Sequence, residues 1–184
     1  MGGWPVWLKL DLDGILLTLR IKGYRRVPDN DWDSTWCKVD FSFISEPWLD
    51  YRQTDSEVFL AREIDDLREA LEALLTDRLT VPTEFACIEQ DFRLLLRPKE
   101  DLRSNPKVIF ISPGHEMVDI GIEWQVYFWH EGLTGNYLTV SLGREEILAL
   151  LVYLRLISGM MSEDDPAVKL LTQLNIIDQS GEEP

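Results

Sequence analysis

Two long runs of strict alternation constrain this chain more than anything else in it. Cys37, Val39, Phe41 and Phe43 alternate with Lys38, Asp40 and Ser42. Further on, Val118, Ile120, Ile122, Trp124, Val126 and Phe128 alternate with Asp119, Glu123, Gln125 and Tyr127. A period of two sends every second side chain to the same face. Each run therefore predicts a strand with one apolar, buried face and one polar, outward face. Between them the period changes. Ile64, Leu67, Leu71 and Leu74 recur at helical spacing, with Glu63, Asp65, Asp66, Glu69 and Glu72 on other faces. This predicts an amphipathic helix from near Arg62 to Asp77, with acids in the first turn where the helix dipole favours them. Val81-Pro82 stops any continuation.

The remaining segments fill in around these three. Trp4 to Asp11 and Ile15 to Ile21 read as strands joined at Asp13-Gly14, a strong hairpin signal. Arg52 to Leu60 is expected to pair back on the strand from Trp36 to Ile44. Glu84 to Glu89, Asp91 to Arg97, Lys107 to Ser112 and Tyr137 to Leu142 read as further strands. Pro98 to Pro106 and Glu131 to Asn136 read as polar connections. A second helix runs from about Glu145 to Leu156 and is apolar nearly all round, so it must be covered on more than one side. Asp165-Pro166 looks like a cap followed by proline at the first helical position, opening a short helix that carries Val168, Leu171, Leu174 and Ile177. The order predicts an α+β protein: an antiparallel β-sheet meander with an amphipathic helix mid-chain and helices at the C-terminus packed on one face. We expect a single α+β domain over residues 1–160, followed by a C-terminal helical extension and frayed tail over 161–184.

Charge narrows the partners. The 184 residues carry 33 acids against 18 bases, a formal net charge of −15. Phosphate backbones and anionic membrane surfaces are repelled by such a chain, so neither nucleic acid nor a membrane is an expected partner. A basic protein is attracted and steered in. Cys37 and Cys87 lie in apolar, strand-like contexts and read as buried thiols of a reducing compartment. The N-terminus lacks the basic region and apolar run of a signal peptide. The longest apolar stretch, Ile147 to Ile157, contains Arg155 and is too short to span a bilayer. The expected address is the cytoplasm.

No catalytic motif is present: no P-loop, dinucleotide fingerprint, HExxH, CxxC pair or GxSxG. His115 and His130 lie beside turns, without a nucleophile in a recognisable context. Asp29, Asp31 and Asp33 fall at positions one, three and five of the EF-hand calcium loop, and Asp40 falls at twelve. Position six, however, is Ser34 rather than Gly, and a strand follows rather than a helix. No metal, cofactor or catalytic residue is therefore assigned. Trp48, Trp129 and Tyr137 are outward aromatics in an acidic surround, as at a protein interface, unless later elements cover them. The rival reading, a small-ligand binding protein or an enzyme of unknown class, requires a concave site lined by Trp124, Tyr127 or His130.

The motif Asp31-Trp32-Asp33-Ser34-Thr35-Trp36, leading into an alternating strand, resembles the WapI family of bacterial immunity proteins. Around it the layout is similar. Two N-terminal strands and Gly23-Tyr24 precede the motif; a strand, an amphipathic helix and the short strand Glu84-Phe85-Ala86-Cys87-Ile88-Glu89 follow; a long alternating strand and a helix close the pattern. The resemblance covers about Leu8 to Leu156. Two departures stand out: Leu142-Gly143-Arg144 replaces an Asp-x-Thr, and the helix from Pro166 is an extension. The resemblance implies a cytoplasmic, non-enzymatic protein that binds and neutralises a toxin domain, protecting the producing cell. Because nuclease toxins are often basic, the acidic charge fits that role. The expected contacts are Asp29, Asp31, Asp33 and Trp48, with Trp32 and Trp36 as anchors of the fold.

Overall fold

The computed structural model describes residues 6–25 and 35–180. In chain order the elements are β1 (Trp7–Leu12), β2 (Ile15–Lys22), β3 (Trp36–Ser45), β4 (Leu49–Leu60), α1 (Ala61–Leu75), β5 (Thr83–Ala86), β6 (Phe92–Arg97), β7 (Glu100–Asp101), β8 (Met117–Val118), β9 (Gly121–Trp129), β10 (Leu133–Leu142), α2 (Arg144–Ile157), α3 (Pro166–Gln173) and β11 (Ile177–Asp178). The expected α+β class holds, with antiparallel strands, a helix mid-chain and helices at the C-terminus. The strands divide between a five-stranded sheet of order β11-β1-β2-β3-β4 and a four-stranded sheet of order β10-β9-β6-β5; β7 and β8 form a separate pair.

The β1–β2 hairpin turns where the sequence places it. Asp13 and Gly14 both have positive φ, 53° and 87°, as a two-residue turn matched to strand twist requires. The Asp11 carboxylate accepts the Gly14 N–H at 2.8 Å.

The two large sheets meet through aromatic rings. Phe41 and Phe43 of β3 face Phe92 of β6 and Trp124 of β9. Phe41 and Phe92 lie 4.9 Å apart, Phe92 and Trp124 5.0 Å, and Phe43 and Trp124 6.2 Å, all edge to face. This is the geometry that ring quadrupoles favour. The inward residues of both alternating strands thus form one core. Helix α2 touches β1 of one sheet and β9 and β10 of the other, and packs against α1 and α3. That position explains why it is apolar on nearly every side. Its Tyr153 is fully buried; the hydroxyl accepts the Ile21 N–H at 2.8 Å and donates to the Val6 carbonyl at 3.4 Å, tying α2 to the ends of β1 and β2.

Four expectations are corrected. First, Asp40 and Ser42 are buried rather than outward in water. Their polar groups are satisfied sideways across the sheet: Ser42 hydrogen-bonds Thr18 at 2.7 Å. Asp40 accepts from Arg20, from Lys22 Nζ at 2.6 Å and from the Asp55 N–H at 2.8 Å. Asp55 has φ of 52° within an irregular stretch of β4, so the carboxylate holds a distorted strand in place. Second, Lys107 to Ser112 has the composition of a strand but forms none, because no neighbouring strand pairs with it. Third, Val118 lies in the short β8 and is exposed, not inward. Fourth, Ile177 belongs to β11 rather than to a helix. The third helix has ended by Leu174, and Asn175 takes a positive φ.

Helix α3 is capped as expected, with Asp165 accepting the Ala167 N–H at 2.9 Å. Val168 and Ile177 reach the common core, β11 pairs with β1, and Lys9 bonds Asp178 at 2.6 Å. The tail expected to fray begins at Gln179, and its last four residues lie outside the described ones.

Burial by itself would raise the Asp40 carboxyl, but the Asp55 amide, Lys22 and Arg20 prevail and hold it below the usual range. Its stabilisation is therefore complete above the unfolded-chain value and disappears as pH falls through the lower folded value. Asp40→Asn should cost about 3 kcal/mol at pH 7, as when one partner of a buried pair is removed. The cost measured by urea denaturation should shrink steadily as pH falls below 4. An equal cost at pH 7 and pH 2 would show that the carboxylate's charge is not what matters.

Candidate functional site

At one end of the molecule two turns come together. The β3–β4 turn carries the Glu46–Pro47 cis peptide and Trp48. The β9–β10 turn carries His130, Glu131 and Gly132, with Glu131 at φ 54° and the His130 N–H bonded to the Gly132 carbonyl at 2.9 Å. Tyr51 of β4 links them. Its ring packs edge to face on Phe128 at 4.7 Å, and its hydroxyl accepts the Trp129 N–H at 3.4 Å.

Alternation decides what this end shows to solvent. In β9 the even residues point into the core, so Tyr127 and Trp129 point out. Their partners across the ladder are Tyr137 and Leu133, separated by an irregular stretch in β10. The Tyr127 and Tyr137 rings lie 5.3 Å apart. Trp129, Leu133 and Tyr137 are exposed, and Trp48 is 63% exposed. No later element covers them among the described residues. Trp48 is thus exposed on the β3–β4 turn, and Trp129, Leu133 and Tyr137 are exposed together on β9 and β10, a possibility the sequence left open.

Carboxylates accompany these residues. Glu46 and Asp50 flank Trp48 in the chain, Glu131 sits in the β9–β10 turn, and Glu89 and Asp91 precede β6. Asp50 is paired with Arg52 at 2.7 Å. Glu46, Glu89 and Glu131 take part in no ion pair among the described residues. Asp91 is buried, and burial followed by the neighbouring Glu89 pushes its carboxyl up to about 6, although a hydrogen bond from the Trp129 side chain acts in the opposite sense. Tyr51 is raised by burial and, in smaller part, by the Asp91 charge. A buried acid thus lies under an exposed tryptophan. Sequence reasoning passed over Asp91 and Tyr51; the only signal was an acid placed immediately before an apolar strand.

The other expected site residues fall as follows. Asp29, Asp31 and Asp33 lie outside the described residues, as does Trp32. Trp36 starts β3 and is half-buried. Cys37 and Cys87 are both buried free thiols, and burial raises both. No group of three or more His, Cys, Asp or Glu is placed to hold a metal among the described residues. Trp124, required as a wall of a ligand cavity, is 1% exposed and packed on Phe43 and Phe92. It belongs to the core. His130 and Tyr127 lie on a turn and an outer sheet face instead. No helix is long and apolar enough to cross a membrane among the described residues.

A family model, the immunity protein WapI-like family, matches residues 8–158. The chain belongs to the WapI-like immunity protein family. The match spans β1 to the end of α2, so the family pattern covers both large sheets and the aromatic end, while α3 and β11 lie beyond it. No curated protein and no solved structure matches the chain. Membership of an immunity-protein family implies a protein partner, a toxin, and toxin neutralisation as the general role.

Asp91 is raised relative to the unfolded chain, so the folded state binds the extra proton between about 4 and 6. Ionising it costs stability as pH rises through that window. Asp91→Asn should therefore raise stability at pH 7.5 by up to about 3 kcal/mol and change it little at pH 3.5. Paired thermal melts at the two pH values measure this. A variant destabilised equally at both would show that the carboxyl is needed for its hydrogen bonding rather than tolerated as a buried charge.

Proposed function

We propose that this protein is a cytoplasmic, non-enzymatic immunity protein that binds a basic bacterial toxin domain and neutralises it by masking. Family membership supplies the role. The observation that carries the mode of action is the exposure of Trp48, Trp129, Leu133 and Tyr137, near Glu46, Glu89 and Glu131, which take part in no ion pair among the described residues. Tryptophan and tyrosine supply large contact area at small entropic cost and dominate binding energies. The net charge of −15 adds long-range attraction for a basic partner. Lysines and arginines of such a partner gain twice, from the carboxylates and from the faces of the tryptophans. The acidic loop of Asp29, Asp31 and Asp33 adds to the same attraction in this reading. Masking needs no reacting group, which suits a chain with no catalytic motif.

The test is rescue of growth. A polymorphic-toxin C-terminal domain encoded beside this gene is expressed with and without the protein. Wild type should restore growth, and the complex should weaken with added salt. Trp48→Ala and Trp129→Ala together should weaken binding at least 30-fold, which corresponds to about 2 kcal/mol lost from a dominant contact. Replacing Asp29, Asp31 and Asp33 by Lys should slow association more than it speeds dissociation. Failure of the wild-type protein to bind or protect would remove the immunity reading.

A further inference from the structure

A second surface projects from the opposite kind of structure, an arm rather than a sheet. Residues 98–119 leave the four-stranded sheet after β6 and return to it at β9. The base of this excursion is firm. Glu100 and Asp101 of β7 pair with Val118 and Met117 of β8, and the Leu102 N–H donates to the Glu116 carbonyl at 2.8 Å. Asp101 caps the short 3-10 turn of Leu102–Ser104 and binds the Arg103 guanidinium, while Arg144 of α2 clamps Asp119 at 2.6 Å. The tip between these strands is different. Ile109 is 100% exposed and Phe110 79% exposed, and Met117 and Val118 of β8 are exposed as well. Ile109, Phe110 and Ile111 make no hydrogen bond among the described residues, so their backbone groups are unengaged, while the Ile111 side chain is half-buried.

A soluble chain rarely leaves consecutive large apolar residues uncovered unless something is to cover them. Charge selects the occupant. The arm is close to neutral, with Lys99, Arg103 and Lys107 against Glu100, Asp101, Glu116 and Asp119. Arg103 is matched by Asp101, and Asp119 by Arg144 of α2. The molecule behind it carries −15, which makes a second acidic copy an electrostatically costly occupant and a basic protein a favourable one. We infer that the arm is a docking element for the basic toxin domain, with Ile109 and Phe110 entering an apolar cleft and the free backbone of residues 109–111 bonding the cleft wall. This rests on the immunity reading and adds a contact distinct from the aromatic end. A rigid stem with an apolar, unbonded tip suits entry into a cleft, where bonds to the main chain supply affinity and the side chains supply specificity.

The experiment compares wild type with Ile109→Asp/Phe110→Asp, using the toxin domain encoded beside this gene as the probe. Both residues lie in solvent, so the variant should melt at the wild-type temperature. The expected result is a Kd raised at least about tenfold, as for loss of anchor residues. Hydrogen exchange at amides 109–111 should be fast in free wild type and slow in the complex. Unchanged affinity with those amides still exchanging fast would overturn the proposal while leaving the immunity role intact. Wild type that fails to bind the domain at all would remove the role, and the arm's assignment with it. Sedimentation of free wild type as a dimer, abolished by the double substitution, would assign the arm to self-association and equally overturn it.

Discussion

The fold depends on one contact layer, the aromatic seam between the two sheets. Neither sheet can bury its apolar face without the other, and Phe41, Phe43, Phe92 and Trp124 meet there edge to face. These rings come from β3, β6 and β9, elements separated by long stretches of sequence. Helix α2 then seals the gap between the sheets, touching both and anchored by the buried Tyr153 hydroxyl.

That construction leaves the outer sheet faces to do different work. The outer face of the five-stranded sheet is held together by lateral polar pairing around Asp40, with a carboxylate kept ionised by two cations and an amide. The outer face of the four-stranded sheet carries Tyr127, Trp129 and Tyr137 with little above them. The first arrangement is internally satisfied and offers a partner nothing unmet. The second leaves apolar surface available, next to the turn residues Glu89 and Glu131, which take part in no ion pair among the described residues, and this is where binding energy is to be gained. The buried Asp91 beneath Trp129 belongs to the same contrast, since it is pushed up where Asp40 is pulled down.

Much of the architecture was legible because periodicity reports burial. The alternations of Cys37 to Phe43 and Ile120 to Phe128, the helical spacing of Ile64 to Leu74, and Asp13-Gly14 each found the element they implied. Three kinds of information were not local. The apolar, strand-like composition of Lys107 to Ser112 could not reveal that no strand among the described residues would pair with it. Polarity at Asp40 and Ser42 could not reveal that neighbouring strands would satisfy them away from water. Division of the strands into two sheets depends on which strands find each other across the chain. The site was legible in part: Trp48, Trp129 and Tyr137 are outward as read, whereas Tyr51 and Asp91 matter only through contacts made in three dimensions.

We propose that this protein neutralises its partner by occupying it, without turnover. A stoichiometric titration tests that claim most directly. Increasing amounts of the protein are added to a fixed amount of active toxin domain, well above the dissociation constant, and residual toxin activity is followed. Masking predicts a linear fall to zero at a fixed whole-number ratio, with unaltered and fully active toxin recovered after the complex is separated under denaturing conditions and refolded. Loss of activity at a small fraction of an equivalent, or a covalent change in the recovered toxin, would contradict it and make the protein an enzyme.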